Sequence, residues 1–322
     1  MRQPAGVEDD RAGRAGAHMV DGGRKHLVAV RAGDASLHRA WLDQPNHQRS
    51  FDLLASYYSA AAFERHRPEE GVTAVFVKGG KWDGLHQSFA ITGIDLDRYD
   101  YVWLPDDDIA TDGASIEQIF ALSRAYDLAL SQPALTRDSY FSYFPLLQCS
   151  AFRLRYTNLV EIMVPCLNRE LLRCALPLFA DTMTGFGMDY VWCRWRECGP
   201  FRSAILDAVA VRHTRPVGLH LKSVAARAGR NEEADLQTRF QLDCRTIPIT
   251  YAGVTRDGAL VKGRYRIAFA MLSSWLADAG EFADPAVARG LAWQAFRRQF
   301  VKPLKLSALE RPLCGVERQK EG

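Results

Sequence analysis

A strand-like run that ends in three consecutive aspartates constrains this chain more than any other stretch. Residues 99–104 are apolar and rich in aromatic side chains, which is typical of a buried strand, and Asp106, Asp107 and Asp108 follow directly. Adjacent carboxylates repel one another, so folding alone does not favour them there. A divalent cation offsets that repulsion, and hard oxygen ligands suit Mg²⁺ or Mn²⁺, which commonly hold a diphosphate. The alternative interpretation is that Asp108 or Thr111 caps a helix over residues 113–126.

Strand-like and helix-like segments alternate on both sides of this run. The strand patterns are at residues 26–30, 51–58, 72–77, 96–104, 155–165 and 204–211, and the helix patterns are at residues 36–42, 85–94, 116–130, 168–179 and 190–197. This alternation favours an α/β sheet with right-handed crossovers and flanking helices. Because ligands of open α/β sheets bind at the carboxyl ends of the strands, we expect the aspartates at the ligand-binding edge.

The two ends of the chain differ from its middle. Residues 1–23 are rich in Gly, Ala, Arg and Asp and have no periodicity, which predicts a disordered leader. Helical patterns recur at residues 225–242, 260–278 and 285–300. The sequence therefore predicts an α/β domain at residues 24–224, followed by a helical C-terminal extension at residues 225–322.

Composition narrows the possible partners. The net charge of +3 and the lack of a Lys/Arg run argue against a nucleic-acid-binding protein. No apolar stretch is long enough to span a bilayer and the N-terminus lacks an apolar signal core, so we expect a cytoplasmic protein. Its seven scattered cysteines fit reduced thiols. The basic stretch at residues 297–305 is interleaved with apolar residues, which allows either peripheral contact with an anionic membrane or a solvated helix end.

Two further loops carry charge at predicted strand ends. Gly33 and Asp34 follow the first strand, where Asp34 either caps a helix or contacts a ligand. Lys78 and Lys81 flank two glycines after the strand at residues 72–77, so their ammonium groups and the free backbone N–H groups could meet a phosphate. The spacing is not that of a P-loop, and the other interpretation is a solvated turn.

Glu161 lies inside an otherwise apolar predicted strand. Burying an unpaired carboxylate is costly, so this side chain needs either an ionic partner or a role in binding an acceptor molecule. The candidate partners are Arg153, Arg155 and Arg169.

A second glycine-rich acidic block precedes the last predicted strand of the α/β domain. Gly185 and Gly187 allow a sharp turn beside a ligand, and Asp189 then begins a helix, where it serves as a cap, a general base, or both. His213 follows the strand at residues 204–211. A neutral imidazole in that position can complete a metal shell begun by carboxylates.

Seven blocks in this order resemble the family known as domain of unknown function 707, which is placed near glycosyltransferases of the GT-A type. The blocks are residues 33–38, 51–52, 78–85, 101–108, 131–133, 160–165 and 185–189, and the resemblance covers residues 26–216. It implies a GT-A-like, Rossmann-like fold with a mixed, mostly parallel sheet. It also implies that Asp106 and Asp108 form an Asp-x-Asp metal motif, that Asp189 is the base or an acceptor-binding acid, and that His213 is a late metal ligand.

These roles predict a glycosyltransferase that depends on Mn²⁺ or Mg²⁺ and moves a sugar from a nucleotide-diphospho-sugar donor to the hydroxyl of a glycan or another acceptor. The predicted donor-binding residues are Asp34, Lys78, Lys81, Asp83 and Asp107, and the predicted acceptor-binding residues are Glu161 and Gly187. One alternative is a phosphohydrolase of the haloacid dehalogenase kind, with Asp106 as nucleophile and Asp108 as a neighbouring acid. The other is a sugar- or nucleotide-binding protein of the same fold without turnover.

Overall fold

The computed structural model describes residues 23–195, 198–217, 231–240 and 247–301. The predicted leader lies outside the described residues except for Gly23. Also outside them are Cys244, Cys314, residues 302–305 of the basic stretch, and residues 225–230 and 241–242 of the helix predicted at 225–242.

The described residues form one mixed sheet of eleven strands, in the order β11-β10-β7-β9-β6-β8-β4-β1-β2-β3, with β5 paired to β9. Parallel pairing joins β4, β1, β2 and β3, and also joins β6 to β9; the remaining pairs are antiparallel. The strands are β1 (His26–Ala32), β2 (Phe51–Tyr57), β3 (Val72–Phe76), β4 (Tyr101–Trp103), β5 (Ile109–Ala110), β6 (Leu130–Leu135), β7 (Phe152–Thr157), β8 (Cys166–Asn168), β9 (Ser203–His213), β10 (Thr250–Thr255) and β11 (Leu260–Lys262).

Helices cover both faces of this sheet. They are α1 (Ala60–Glu64), α2 (Trp82–Thr92), α3 (Gly113–Ala125), α4 (Arg169–Ala180), α5 (Met188–Val191), α6 (Glu232–Arg239), α7 (Arg264–Ala277) and α8 (Pro285–Val301). Successive β1 residues alternate between two apolar clusters, with Val28 packed towards α3, α7 and α8 and Ala29 packed towards α2 and α4. The predicted α/β fold with flanking helices is therefore confirmed.

Local signals set the helix starts. Asp112 accepts a hydrogen bond from the backbone N–H of Ser115 (2.7 Å) and caps α3. Asn168 caps α4 in the same way, through the backbone N–H of Leu171 (2.9 Å). The interpretation that Asp108 or Thr111 caps this helix is therefore wrong, because Asp112 is its N-cap residue.

Several predicted segments end elsewhere. The strand predicted at residues 155–165 stops at Thr157, and Glu161 lies in an irregular segment, because the chain must turn before β8 begins at Cys166 and pairs with β4 and β6. The helix predicted to reach residue 130 ends at Ala125.

Five strands were not predicted from the sequence, namely β5, β6, β8, β10 and β11. The last two lie within residues 250–262 and extend the sheet before the two C-terminal helices begin. The long helices predicted at residues 260–278 and 285–300 are present as α7 and α8.

Candidate functional site

The antiparallel pairing of β5 with β9 brings the acidic run against His213. Ile109 lies opposite His213, and the Asp108 carbonyl accepts hydrogen bonds from the backbone N–H (3.1 Å) and the hydroxyl (2.8 Å) of Thr214. The Nε2 of His213 lies 3.2 Å from Oδ2 of Asp108, while its Nδ1 donates to the Tyr140 carbonyl (2.9 Å). Asp108 and His213, which are 105 positions apart in sequence, are thus in contact in the interior of the protein.

The contact with His213 satisfies only one of the two carboxylate oxygens of Asp108. Burial disfavours the charged imidazole, but the hydrogen bond and negative charge of Asp108 outweigh it and raise the pKa of His213. The second carboxylate oxygen of Asp108, Oδ1, is buried and has no hydrogen-bond partner. Such an orphaned acceptor is costly unless a ligand or ion satisfies it.

Asp106 is held by a lysine. The Nζ of Lys81 donates to Oδ1 of Asp106 (2.6 Å) and to the carbonyls of Ile162 (2.7 Å) and Met163 (3.2 Å). The Asp106 side chain nevertheless keeps 38% of its surface exposed. Both members of this pair were predicted as ligand-binding residues, but their mutual contact was not.

Asp107 turns towards the β1 loop. Its Oδ2 accepts hydrogen bonds from the backbone N–H of Gly33 (2.9 Å) and the hydroxyl of Tyr58 (3.3 Å), and its Oδ1 lies 3.2 Å from an amino group of Arg215. Each of the three aspartates therefore has its own basic partner: Lys81 for Asp106, Arg215 for Asp107 and His213 for Asp108. Lys81 and Arg215 offset part of the repulsion between the carboxylates, and the metal expected beside Asp106 and Asp108 stays a prediction.

Two buried acids lie beside this cluster. Burial raises the pKa of Glu161 to about 7, with the charge of Asp106 adding to the effect. Burial likewise raises the pKa of Asp189 to about 8, and the charge of Glu161 adds to it. The backbone N–H of Glu161 donates to the side chain of Gln132 (2.7 Å), and Oε2 of Glu161 is buried without a hydrogen-bond partner.

The predicted arginine partners of Glu161 are bound elsewhere or exposed. Arg155 makes a fully buried ion pair with Asp207, and Arg169 pairs with Asp100. Arg153 is exposed on β7. The ion-pair interpretation of Glu161 is therefore wrong. Its carboxyl group has a hydrogen bond with the side chain of Ser142, and only its Oε2 lacks a partner.

The glycine-rich block is fixed by a residue that the sequence did not single out. The buried carboxylate of Glu232, at the start of α6, accepts hydrogen bonds from the hydroxyls of Thr182 (2.7 Å) and Thr184 and from the backbone N–H groups of Met183 and Thr184 (both 2.9 Å). In the sequence, Glu232 is one of several acidic residues within the helical pattern at residues 225–242. That pattern carries no information about this long-range contact.

Both glycines of the block adopt positive φ angles. Gly185 has φ +75°, and a Cβ added there would lie 2.0 Å from Nε1 of Trp82. Gly187 has φ +92° and lies against α6. Asp189 follows in α5, which ends at Val191 and continues as a 3₁₀ turn rather than as the predicted helix at residues 190–197.

The remaining predicted donor-binding residues, Asp34, Lys78 and Asp83, follow β1 and β3 and differ in exposure and in their partners. Asp34 is exposed and paired with Arg65 and the hydroxyl of Ser59 (2.8 Å). Lys78 is exposed. Asp83 lies in the first turn of α2, where burial raises its pKa.

Sequence reasoning also missed Arg31, at the end of β1. This buried side chain donates to the carbonyls of Val77 (2.8 Å) and Gly79 (3.1 Å), so it fixes the loop that carries Lys78. An arginine that follows an apolar strand pattern gave no signal of burial.

The residues present partly fit the predicted metal site. Within the described ranges, no three His, Cys, Asp or Glu side chains are grouped so as to hold a metal ion by themselves. Mg²⁺ sites commonly use one or two protein carboxylates together with waters and substrate phosphates. Asp108 supplies the oxygen donor that Mn²⁺ or Mg²⁺ prefers, and a metal that also bound His213 would replace a proton on Nε2.

Comparisons with known proteins give only remote likenesses. No protein-family model matches the chain, so the resemblance to domain of unknown function 707 stays a prediction. No curated protein matches either. Among the helices that the structure describes, none combines the length and the apolar character needed to cross a bilayer.

Solved structures of Staphylococcus aureus TarS are similar to this chain at low identity. TarS residues 1–349 in complex with UDP-GlcNAc share 11% identity over 86% of this chain and 72% of TarS 1–349, with a TM-score of 0.42. The same TarS segment in complex with UDP shares 11% identity over 92% of both chains, with a TM-score of 0.40. A longer TarS structure has a TM-score of 0.41, and this chain spans 54% of its length. The ligands named here are those of TarS.

Proposed function

We propose that this protein is a metal-dependent glycosyltransferase that uses a nucleotide-diphospho-sugar donor. The observation that carries the proposal is the pairing of Asp108 with His213 at 3.2 Å, with the second Asp108 oxygen buried and unsatisfied at the ligand-binding edge of the sheet. Glu161 and Asp189, two buried acids with raised pKa values, interact electrostatically at the same edge. Acids with strongly shifted pKa values, beside a carboxylate oxygen that lacks a hydrogen-bond partner, are characteristic of catalytic sites.

Each residue has a distinct role in this proposal. Asp108 and His213 would hold Mn²⁺ or Mg²⁺, which would supply Lewis-acid stabilisation of negative charge on the diphosphate. Lys81 adds a fixed ammonium beside the same charge, and Asp106 keeps that ammonium in place at 2.6 Å. The exposed Lys78 is available to the donor phosphates, and Asp34, Asp83 and Asp107 shape the donor side of the edge.

Asp189 acts as the general base of an inverting transfer. The acceptor oxygen forms a bond to the anomeric carbon of the sugar while the bond from that carbon to the diphosphate oxygen breaks. The proton of the acceptor hydroxyl moves to the Asp189 carboxylate, and the nucleoside diphosphate leaves. Glu161 positions the acceptor hydroxyl, and Gly187, with φ +92° and packed against α6, turns the backbone into α5 on the acceptor side. A pKa of about 8 suits Asp189 to this task, since a base with that pKa accepts a proton readily near neutral pH.

The test is donor turnover by the purified chain with a panel of UDP- and GDP-sugars, with Mn²⁺ or with a chelator. We expect one donor to release its nucleoside diphosphate only with metal, and Asp108→Asn to lower that rate by about a hundredfold or more. Asp97→Asn is the matched control, because Asp97 is exposed and forms a surface ion pair with Arg173. An Asp108→Asn protein as fast as the wild type in Mn²⁺ would contradict the proposal. Phosphate release from simple phosphoesters would favour a phosphohydrolase, and donor binding without turnover would favour a binding protein.

A further inference from the structure

The two C-terminal helices share an aromatic face that is exposed. Tyr265 is 67% exposed, Phe269 57% and Trp293 48%. Tyr265 packs against Phe300 with ring centroids 5.2 Å apart, Phe269 against Phe296 at 5.0 Å, and Trp293 against Phe296 at 5.7 Å. The rings form one continuous patch across the α7–α8 hairpin, and the opposite face of each helix is buried against the core.

This exposure is not explained by core packing. The buried side of α7 is made of Ile267, Met271 and Trp275, and that of α8 is made of small residues such as Ala288 and Ala292. Contiguous exposed aromatic side chains on a folded protein are unusual and mark a surface that binds something apolar.

The charges around the patch have a single sign. Arg266, Arg289, Arg297 and Arg298 are exposed on α7 and α8, and neither helix contains Asp or Glu. Within the described part of the chain, none of the four has an ion-pair partner among the structure's salt bridges. The carboxylates that follow α7 are Asp278, Glu281 and Asp284, and they lie at the opposite end of the hairpin from Tyr265 and Phe300. Arg137 binds the first two, and Asp284 accepts hydrogen bonds from the first backbone N–H groups of α8.

We propose that this aromatic–arginine face docks on an anionic lipid bilayer. Aromatic side chains insert at the boundary of headgroups and acyl chains, while arginines contact the lipid phosphates. A second copy of the chain is a poorer partner, because a symmetric contact would bring the unpaired arginines of both copies together. Nucleic acid is a poorer partner, because its duplex offers no apolar surface for the exposed rings. The inference does not depend on the proposed function.

The test is flotation of the full-length chain with vesicles of phosphatidylcholine alone and with vesicles of equimolar phosphatidylcholine and phosphatidylglycerol. We expect binding to the anionic vesicles only, and weaker binding as salt is raised. Arg297→Glu with Arg298→Glu should weaken binding about tenfold or more. Phe269→Ala with Trp293→Ala should weaken it about tenfold as well, because the apolar contact is lost.

Arg67→Glu with Arg153→Glu is the matched control for charge, since both arginines are exposed and lie outside α7 and α8. Melting temperatures of all variants establish that they fold. Failure to float with anionic vesicles, or flotation that both variant pairs leave unchanged, overturns the proposal. Concentration-dependent dimers that are lost in Phe269→Ala with Trp293→Ala would assign the face to self-association instead. Binding of duplex DNA that is lost only in Arg297→Glu with Arg298→Glu would assign it to nucleic acid.

Discussion

The ammonium of Lys81 lies 2.6 Å from the carboxylate of Asp106 and also donates to two backbone carbonyls. The first aspartate of the acidic run is therefore neutralised by the protein, whereas the third retains an unsatisfied oxygen. An ammonium and a divalent cation would compete for Asp106, so Lys81 should limit metal binding when no nucleotide is present.

Replacing Lys81 tests this competition. We expect Lys81→Met to bind Mn²⁺ about tenfold more tightly than the wild type without nucleotide, because Asp106 then becomes free to join Asp108. Titration calorimetry with Mn²⁺ measures the change. Lys78→Met is the matched control, because Lys78 is exposed on the same loop. Equal affinities in Lys81→Met and the wild type would show that Asp106 takes no part in metal binding.

The raised pKa of Asp189 predicts a pH dependence of stability. Its pKa of about 8 exceeds the ordinary value, so the folded protein holds a proton that the unfolded chain has released across the interval from about pH 4 to about pH 8. The free energy of unfolding therefore falls as pH rises through that interval. An asparagine at position 189 cannot ionise, so the free energy of unfolding of Asp189→Asn lacks this decrease.

We expect the melting temperature of Asp189→Asn relative to the wild type to rise steadily between pH 5 and pH 8. The same variant should lose glycosyl transfer, and wild-type turnover should increase about tenfold per pH unit below pH 8. Asp97→Asn should keep a constant difference in melting temperature over this range, since Arg173 lowers the pKa of Asp97. A constant difference for Asp189→Asn as well would mean that Asp189 is ionised in the folded protein.

Much of the sheet could be predicted because its signals are local. Val72–Phe76 and Phe51–Tyr57 are short runs of β-branched, aromatic and aliphatic residues, and both form strands. Asn168 marked the start of α4 through its capping side chain. In contrast, Leu130–Leu135 contains Ser131, Gln132 and Pro133, so its pattern resembles a loop, although parallel pairing with β9 makes it a strand.

The pairings within the site depended on topology and could not be predicted in the same way. The acidic run and His213 were identified separately, but their contact follows from the pairing of β5 with β9. The partner of Glu232 lies about 50 residues away, and no local pattern encodes it. Residue type indicated the chemistry of each side chain, whereas the fold determined which side chains meet.

The buried pair of Arg155 and Asp207 predicts a large loss of stability from a single substitution. Nε of Arg155 lies 2.7 Å from one carboxylate oxygen and an amino group lies 2.9 Å from the other, and both side chains have no exposed surface. We expect Asp207→Asn to lower the free energy of unfolding by about 3–5 kcal/mol, because the arginine charge stays buried without compensation. Urea unfolding measures this loss of stability. The control, Asp97→Asn, should leave the urea midpoint unchanged. A loss no larger than that of the control would mean that Arg155 reaches solvent.

Gly185 predicts a loss of stability that combines backbone strain with a steric clash. Alanine at φ +75° costs about 1–2 kcal/mol, and a Cβ only 2.0 Å from Nε1 of the buried Trp82 adds about 1–3 kcal/mol. Gly93→Ala is the matched control, because Gly93 has φ +63° and no atom within 4 Å of an added Cβ. In urea unfolding, Gly93→Ala should therefore report the cost of the backbone alone, and Gly185→Ala should exceed it. Because the clash displaces the loop that leads to Asp189, Gly185→Ala should also lower turnover, whereas Gly93→Ala should not. Equal losses of stability in the two variants would mean that Trp82 moves aside without cost.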